Sequence, residues 1–333
     1  MQHFCGLYHC DSLNEWLMQQ IFPQLGLYDG DGDIEVRQLI GSNRVYRFST
    51  AKNGLEFSVV GKFHGKVLDS PVHKKFLLMQ EFQNIQRLQA LGFHDGQYQV
   101  VRCLGYSEAN DYLLVTKYVD GYQLDHFIKE AIFKNDVQGL YDALADLAYF
   151  LYLLHSRSIR HDIKVVFNEE YAYAHKTLNR LTGQTSWEDI EDLSKMVDRW
   201  KYKPEMLSVS SVQVHGDCTP TNFIFSDDSR LVALDLERSR RSDPAFDTGR
   251  VAGELMHYFI MFTGKAKKAE PLIHHFYKEY CSHSHVPAEL FDEITKRNPF
   301  YQAITELRIA KNYWISPEHR LRLIDEAKKC LRY

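Results

Sequence analysis

Apolar residues recur along this chain with two periods in succession. They fall at every second position through much of residues 34–119, then at every third or fourth position almost to the C-terminus, the repeats of strand and helix respectively. A short helix precedes both. Ser12 and Glu15 form a capping box, and Leu13, Trp16, Leu17 and Ile21 share one helical face until Pro23 ends the run. Ile34–Ile40 and Arg44–Ser49 alternate, and Phe57–Phe63 is rich in β-branched residues, which predicts three consecutive antiparallel strands. A helix follows over about Val72–Leu91, with Phe76, Met79, Phe82, Ile85, Leu88 and Leu91 as its buried stripe. Tyr98–Gly105 and Tyr112–Val119 complete a predicted five-stranded sheet and bracket a turn at Glu108–Asp111.

Beyond Asp120-Gly121 the pattern predicts helices over Leu124–His155, Glu169–Trp200 and from Gly249 to the C-terminus. Short strands are expected only near Val212–Val214, Asn222–Phe225 and Leu231–Leu234. The chain therefore reads as an α+β protein of two lobes. Residues 1–33 form an N-terminal helical extension, 34–119 an antiparallel β-rich N-lobe and 120–333 a mostly helical C-lobe.

Composition narrows the function. The 333 residues include 44% hydrophobic and 13% aromatic residues, enough for two cores. A formal net charge of −4 supplies no global positive field for nucleic acid or an anionic membrane. The start, Met1–Gly6, lacks a basic segment leading into an apolar run, and the most apolar stretch, Ala143–Leu154, is too short to span a bilayer. A soluble cytoplasmic protein is expected. The six cysteines, Cys5, Cys10, Cys103, Cys218, Cys281 and Cys330, are scattered without close pairs, as reduced thiols are.

Candidate chemistry concentrates in His215-Gly216-Asp217-Cys218-Thr219-Pro220-Thr221-Asn222 and in Asp235, which ends an apolar run. Phosphoryl transfer needs a carboxylate to orient the acceptor hydroxyl and oxygen ligands for Mg²⁺ on the phosphates. Asp217 and Asn222 have the separation of the Asp and Asn in the protein-kinase catalytic loop, and Asp235 stands where a second metal-binding carboxylate would follow. Lys62, on the predicted third strand, is suited to neutralise phosphate oxygens, and Glu81 on the next helix is its expected ion-pair partner. The turn Gly41-Ser42-Asn43-Arg44 offers backbone N–H groups to phosphate.

Two other segments imitate functional loops. Asp29, Asp31 and Asp33 open like a calcium loop, but Ile34 and Ile40 occupy the positions that need Gly and Glu, so a solvated turn is expected. Arg160-His161-Asp162-Ile163-Lys164 with Asn168 imitates the kinase loop, yet its Asn is one residue too far and no apolar strand ending in Asp follows. That segment is expected to begin a helical insert on the substrate side.

Taken in order, Gly41–Arg47, Lys62, Glu81, Leu153-Leu154-His155, His215-Gly216-Asp217 with Asn222, and Asp235-Leu236-Glu237 resemble the aminoglycoside phosphotransferase and choline kinase family over residues from about 34 to 260. The resemblance implies a bilobal protein-kinase-like fold and phosphorylation of a small-molecule hydroxyl by ATP or GTP with Mg²⁺. The acceptor would be an amino sugar or antibiotic, an amino alcohol, a sugar or a nucleoside. By the same resemblance Asp217 is the catalytic base, Asn222 and Asp235 bind Mg²⁺, and Lys62, supported by Glu81, meets the phosphates. Gly41, Ser42 and Asn43 cover the phosphates, Thr116, Lys117 and Tyr118 form the adenine-binding hinge, and Asp247 supports the catalytic loop. The alternatives are a kinase-like protein that binds nucleotide or ligand without turnover, and a protein kinase. The latter is disfavoured by His-Gly-Asp in place of His-Arg-Asp and by the lack of an Ala-Pro-Glu segment after Asp235.

Weaker signals read as structural. His274-His275 and His283-Ser284-His285 are expected on the surface and not as metal ligands. Arg238, Arg240 and Arg241 read as a solvated basic loop, with contact to an anion as the lesser alternative. Tyr171, Tyr173, Trp187, Trp200 and Tyr202, with neighbouring acids, suit either the core and outer face of two helices or a site for an amine-like cation; helical spacing favours the first.

Overall fold

The computed structural model describes residues 12–28, 33–39 and 44–333. Gly41, Ser42 and Asn43 of the expected phosphate turn, Asp29 and Asp31 of the acidic turn, and Cys5 and Cys10 lie outside the described residues. The chain divides into two compact units: one runs to Asp120 and takes back Val232–Glu237, and the other comprises Gly121–Leu231 and Arg238–Tyr333.

In the first unit a short helix, α1 (Ser12–Trp16), continues through a π turn, Leu17–Ile21, and a 3₁₀ turn, Phe22–Leu25, that ends at Gly26 in the left-handed region. Strands β1 (Glu35–Gln38), β2 (Arg44–Lys52) and β3 (Leu55–Phe63) form consecutive antiparallel pairs. Helix α2 (Pro71–Leu88) follows, capped by the Ser70 side chain, and then β4 (Tyr98–Val100), β5 (Cys103–Ser107) and β6 (Leu113–Lys117). The sheet order is β1-β2-β3-β6-β5.

The expected strand Tyr98–Gly105 is two strands. Only the second joins the five-stranded sheet, and it enters through a register shift between Cys103 and Gly105. The core lies on one face, where Phe48, Val59, Leu113 and Val115 pack with Leu17, Ile21 and Phe22 of the N-terminal segment. The N-terminal turn is thus part of this core. Gly105 permits the close approach, since a Cβ there would come within 2.9 Å of Ile21 Cδ1.

The buried stripe of α2 is rotated from the expected one. Lys74, Leu78, Glu81, Ile85 and Leu88 are buried, while Phe76 is 62% exposed. Two charged residues occupy the inner face because each has a partner there: Lys74 meets Asp111 at 2.8 Å and Glu81 meets Lys62 at 2.8 Å. Burial of a charge is tolerable only with such pairing.

In the second unit β7 (Tyr122–Gln123) leads into α3 (Leu124–Phe133) and α4 (Val137–Ser158). The helical stretch expected over Leu124–His155 is two helices, divided where Asn135 takes φ +60° and Asp136 caps α4 through Gly139 N–H. Strand β8 (Arg160–Lys164) comes next, then α5 (Phe167–Leu181) and α6 (Trp187–Trp200), split by a turn at Gly183 with φ +83°. The kinase-loop imitation is therefore an exposed edge strand paired with Ser210 and Ser211, not the start of a helix.

Strand β9 (Ser210–Val214) sits between β8 and β12 (Arg240–Ser242) in a three-stranded sheet. β10 (Phe223–Phe225) pairs with β7, and β11 (Leu231–Ala233) carries the chain towards Asp235. Helices α7 (Ala245–Thr263), α8 (Glu270–Ser282), α9 (Pro287–Ala310) and α10 (Pro317–Arg332) complete the unit. α7 is nearly enveloped, with Gly249 and Gly253 allowing α9 to approach closely: a Cβ at Gly249 would lie 2.5 Å from Tyr301 Cβ. Among the described residues no helix is long and apolar enough to cross a membrane.

Candidate active site

Alternation along β3 sends Val59 into the core and Lys62 to the opposite face. There the ammonium collects three carboxylates of the same unit: Glu81 at 2.8 Å, Asp235 at 2.5 Å and Glu237 at 3.0 Å. Glu81 is 3% exposed and also meets His64 Nε2 at 2.8 Å. Burial works against the ammonium, but Glu81, Asp235 and Glu237 outweigh it and raise the Lys62 pKa. Burial likewise works against the Glu81 carboxylate, and Lys62 with His64 prevails, holding it well below the usual range.

Asp235 goes the other way. Burial, reinforced by the negative charges of Glu81 and Glu237, raises its pKa despite Lys62. Its backbone also sits at φ +55°, a sparsely populated conformation for a residue with a Cβ. Asn84 Nδ2 fixes the segment by donating to Leu236 O at 2.8 Å. Oxygens of Glu81, Asp235 and Glu237 lie within 4.8 Å of one another. Three carboxylates against one ammonium leave an excess of hard oxygen donors, which suits Mg²⁺.

Asp217 and Asn222 belong to the second unit, in the loop after β9. The loop is held from beneath by Asp247 near the start of α7, which is fully buried. Its Oδ2 accepts from His215 N–H at 2.7 Å and its Oδ1 from Gly216 N–H at 3.0 Å, while His155 Nε2 lies 3.1 Å from Oδ2. Burial opposes this carboxylate's charge, but these donors overcome it and lower its pKa. Gly216 has φ +85°, and a Cβ there would stand 2.2 Å from Arg238 O. Asn222 Nδ2 donates to Asp217 O at 2.9 Å, so the amide is oriented with its oxygen as the ligand-capable atom.

Asp217 is buried and is gripped by two arginines the sequence did not single out as its partners: Arg250 bonds Oδ1, and Arg238 Nη1 lies 3.4 Å from Oδ2. Burial would raise its pKa; Arg250, Arg308 and Arg238 overcome that and lower it. Arg250 was not legible, because nothing in the spacing of α7 marks it. Glu237 stands in the motif with no role of its own in the sequence reading; its place two residues after Asp235 is the available signal.

The remaining basic residues after Asp235 are engaged, not a solvated loop. Arg240 Nη2 bonds Glu170 at 2.7 Å and its guanidinium stacks on Phe246, while Arg241 donates to Ser158 O and Ser211 O. In the expected hinge, Lys117 N–H donates to Arg102 O at 2.9 Å and Tyr118 N–H to Ser58 O at 3.4 Å, so those N–H groups are committed inside the first unit; Thr116 pairs with Val60. Cys218 is buried beside Asp247, and burial raises its thiol pKa well above the ordinary value, which leaves no reactive thiolate. Of the insert aromatics, Trp200 is fully buried whereas Trp187 and Tyr202 are exposed.

A lysine held by a helix glutamate in a β-rich unit, and an Asp–Asn loop braced by a buried aspartate in a helical one, define a kinase-like phosphotransferase of the α+β class. The chain belongs to the phosphotransferase enzyme family, whose model matches residues 35–275. Its fold is shared with choline kinase LicA from Streptococcus pneumoniae, at 17% identity and a TM-score of 0.56, covering 97% of this chain and 99% of the other. A choline kinase from Cryptosporidium parvum superposes with a TM-score of 0.60 at 13% identity, covering 96% and 92%. An ADP-bound aminoglycoside phosphotransferase, APH(2'')-Ib, gives 0.53 at 17% identity, covering 89% and 92%. No curated protein matches the sequence.

Proposed function

We propose that this small-molecule phosphotransferase moves the γ-phosphoryl group of ATP to a hydroxyl of its acceptor. The observation that carries the reading is the partly buried Lys62 ammonium with three carboxylates within 3.0 Å. Such a charge, fixed by Glu81, is suited to meet phosphate oxygens where negative charge gathers. In solved structures of the same fold, ADP accompanies APH(2'')-Ib and AMP accompanies LicA, which supports a nucleotide here.

Asp217 orients the acceptor hydroxyl. Its lowered pKa keeps it an anion and a hydrogen-bond acceptor throughout the neutral range, with Arg250 fixing its direction. As the bond between the acceptor oxygen and phosphorus forms, the bond from phosphorus to the ADP oxygen breaks, its electron pair leaving with ADP and the hydroxyl proton passing to Asp217. In the first unit Asp235, with Glu237 two residues on, would supply oxygens for Mg²⁺, and in the second unit Asn222 offers its amide oxygen as a ligand; a bound ion would neutralise phosphate charge. Gly41, Ser42 and Asn43 are assigned to cover the phosphates. Adenine recognition falls to the segment Thr116–Tyr118, through carbonyl groups, since the N–H groups of Lys117 and Tyr118 are committed.

The test follows ADP release over a panel of amino sugars, amino alcohols, sugars and nucleosides, comparing the wild-type chain with Asp217→Asn. A kcat loss of about 10²–10⁴-fold in the variant is expected, the usual worth of a positioned acid or base. Equal kcat in the two proteins would remove Asp217 from the chemistry.

A further inference from the structure

Beside Asp217 the second unit opens a pocket between α5, α7 and α9, lined by Glu170, Tyr173, Phe246, Arg250, Thr305 and Arg308 among others. Arg250 belongs both to this pocket and to the Asp217 contact, so the pocket adjoins the carboxylate that would orient the acceptor. Its polar lining is dominated by guanidinium groups. Arg250 is 3% exposed and spends one amino group on Asp217; Arg308 spends one on Glu254 at 2.7 Å. Among the described residues, the buried Nε–H of each has no hydrogen-bond partner.

The local charge does not balance. Glu170 is occupied by Arg240 and Ser242. Asp217 and Glu254 then face Arg250, Arg308 and Arg238, and Lys311 just past α9 feels Arg180, Arg308, Arg238 and Arg250 as like charges. Burial and the nearby Arg250 charge lower the Arg308 pKa in spite of Glu254 and Asp217. A guanidinium is planar and pairs with carboxylate or phosphate oxygens two at a time, and a buried, incompletely paired one is costly. An anion beside the two guanidinium groups relieves the repulsion. An ammonium group would add to the repulsion.

We propose that the acceptor carries, besides the hydroxyl that is phosphorylated, an anionic oxygen group, a carboxylate or a phosphate or sulphate monoester, seated at Arg250 and Arg308. This rests on the phosphotransfer reading above and names its substrate class.

The experiment is titration calorimetry on the full chain saturated with a non-hydrolysable ATP analogue. The probes are inorganic phosphate, sulphate and a hexose series: the neutral sugar, the amino sugar, the sugar acid and the sugar phosphate. ADP release from ATP is followed in parallel with the same series. Anionic members should bind more tightly than the neutral sugar and the amino sugar, and the sugar acid against the sugar phosphate tells carboxylate from phosphate. Arg308→Gln should weaken anion binding by about 10- to 100-fold, the worth of charge-assisted hydrogen bonds, and leave the ATP analogue's Kd unchanged. The double variant Glu254→Gln/Arg308→Gln removes both charges together and serves if the single variant does not fold. No anion binding at millimolar concentration, equal binding of the amino sugar, or an unaltered anion Kd in the folded variant overturns the inference. ADP release with amino sugars alone overturns it while leaving the phosphotransfer reading intact. Arg308-dependent anion binding with no ADP formed, even by slow hydrolysis, sinks the phosphotransfer reading and leaves the anion site standing.

Discussion

Replacing Gly216 by alanine separates two costs that the Asp217 loop combines. Gly216 has φ +85°, and Gly183, in the α5–α6 turn of the same unit, has φ +83°. An L-residue pays about 1–2 kcal/mol to occupy this region at either place. The surroundings differ. A Cβ at Gly183 meets nothing within 4 Å, whereas one at Gly216 would stand 2.2 Å from Arg238 O and 2.7 Å from Arg238 C. Both of these are backbone atoms, so no rotamer change clears the way. Such overpacking adds about 1–3 kcal/mol, and relief requires moving either the loop or the Arg238 backbone, which carries an Asp217 partner. Gly183→Ala should therefore lose about 1–2 kcal/mol in urea unfolding followed by tryptophan fluorescence, with kcat unchanged. Gly216→Ala should lose about 2–5 kcal/mol and, where it remains folded, at least tenfold in kcat with little change in nucleotide Kd. Equal stability losses in the two variants, or full kcat in Gly216→Ala, would refute the claim that close packing on Arg238 O positions Asp217.

Asp247→Asn removes a fully buried charge that accepts from two loop N–H groups and adjoins His155; with an amide N–H set against one of these donors, a loss of about 2–4 kcal/mol is expected, and urea unfolding with no change would show that Asp247 does not hold the loop. Glu81→Gln should raise nucleotide Kd and flatten the acid limb of stability. The folded-state pKa of Glu81 is depressed, so its contribution is present above the ordinary carboxylate value and lost as pH falls through the folded one; an unaltered acid limb in the variant contradicts this. His257 and His319 share a hydrogen bond of 3.0 Å, and burial first, with the neighbouring charges, lowers both pKa values, that of His257 to about 3. The unfolded chain then binds protons that the folded one refuses, so stability should fall below about pH 6.5 by about 1.4 kcal/mol per pH unit per proton; His257→Gln should remove part of that slope, and an identical slope would place the sensitivity elsewhere.

What the sequence disclosed and what it concealed follow from the range of the interactions. The Asp217–Asn222 spacing is local chemistry, and β2 and β3 are local alternation, so both are readable from neighbours in the chain. The break between α3 and α4 was also local, with Asn135 and Asp136 to mark it, but an apolar period running through from Leu124 to His155 masked it. The inner face of α2 could not be read at all from periodicity. Lys74 and Glu81 are buried because Asp111 and Lys62 wait for them, and a charge at a core position looks like a surface charge until its partner is known.

The same reasoning explains the arginines. Arg250, in the second turn of α7, is a buried cation that an amphipathic reading assigns to solvent; its place is decided by Asp217, which is distant in sequence. Arg308, in the last turn of α9, is decided by Glu254. Each pair costs desolvation that an apolar pair would not, and Asp247 shows that this unit supplies complete partners where a charge serves structure alone: its carboxylate accepts from both loop N–H groups and meets His155. Against that standard, the unpartnered Nε–H groups of Arg250 and Arg308 near Asp217 point to function more than to stability. The lysine proposed to meet phosphate is recognised by its place on a strand. The acceptor, in this chain, is written in residues whose meaning depends on the fold.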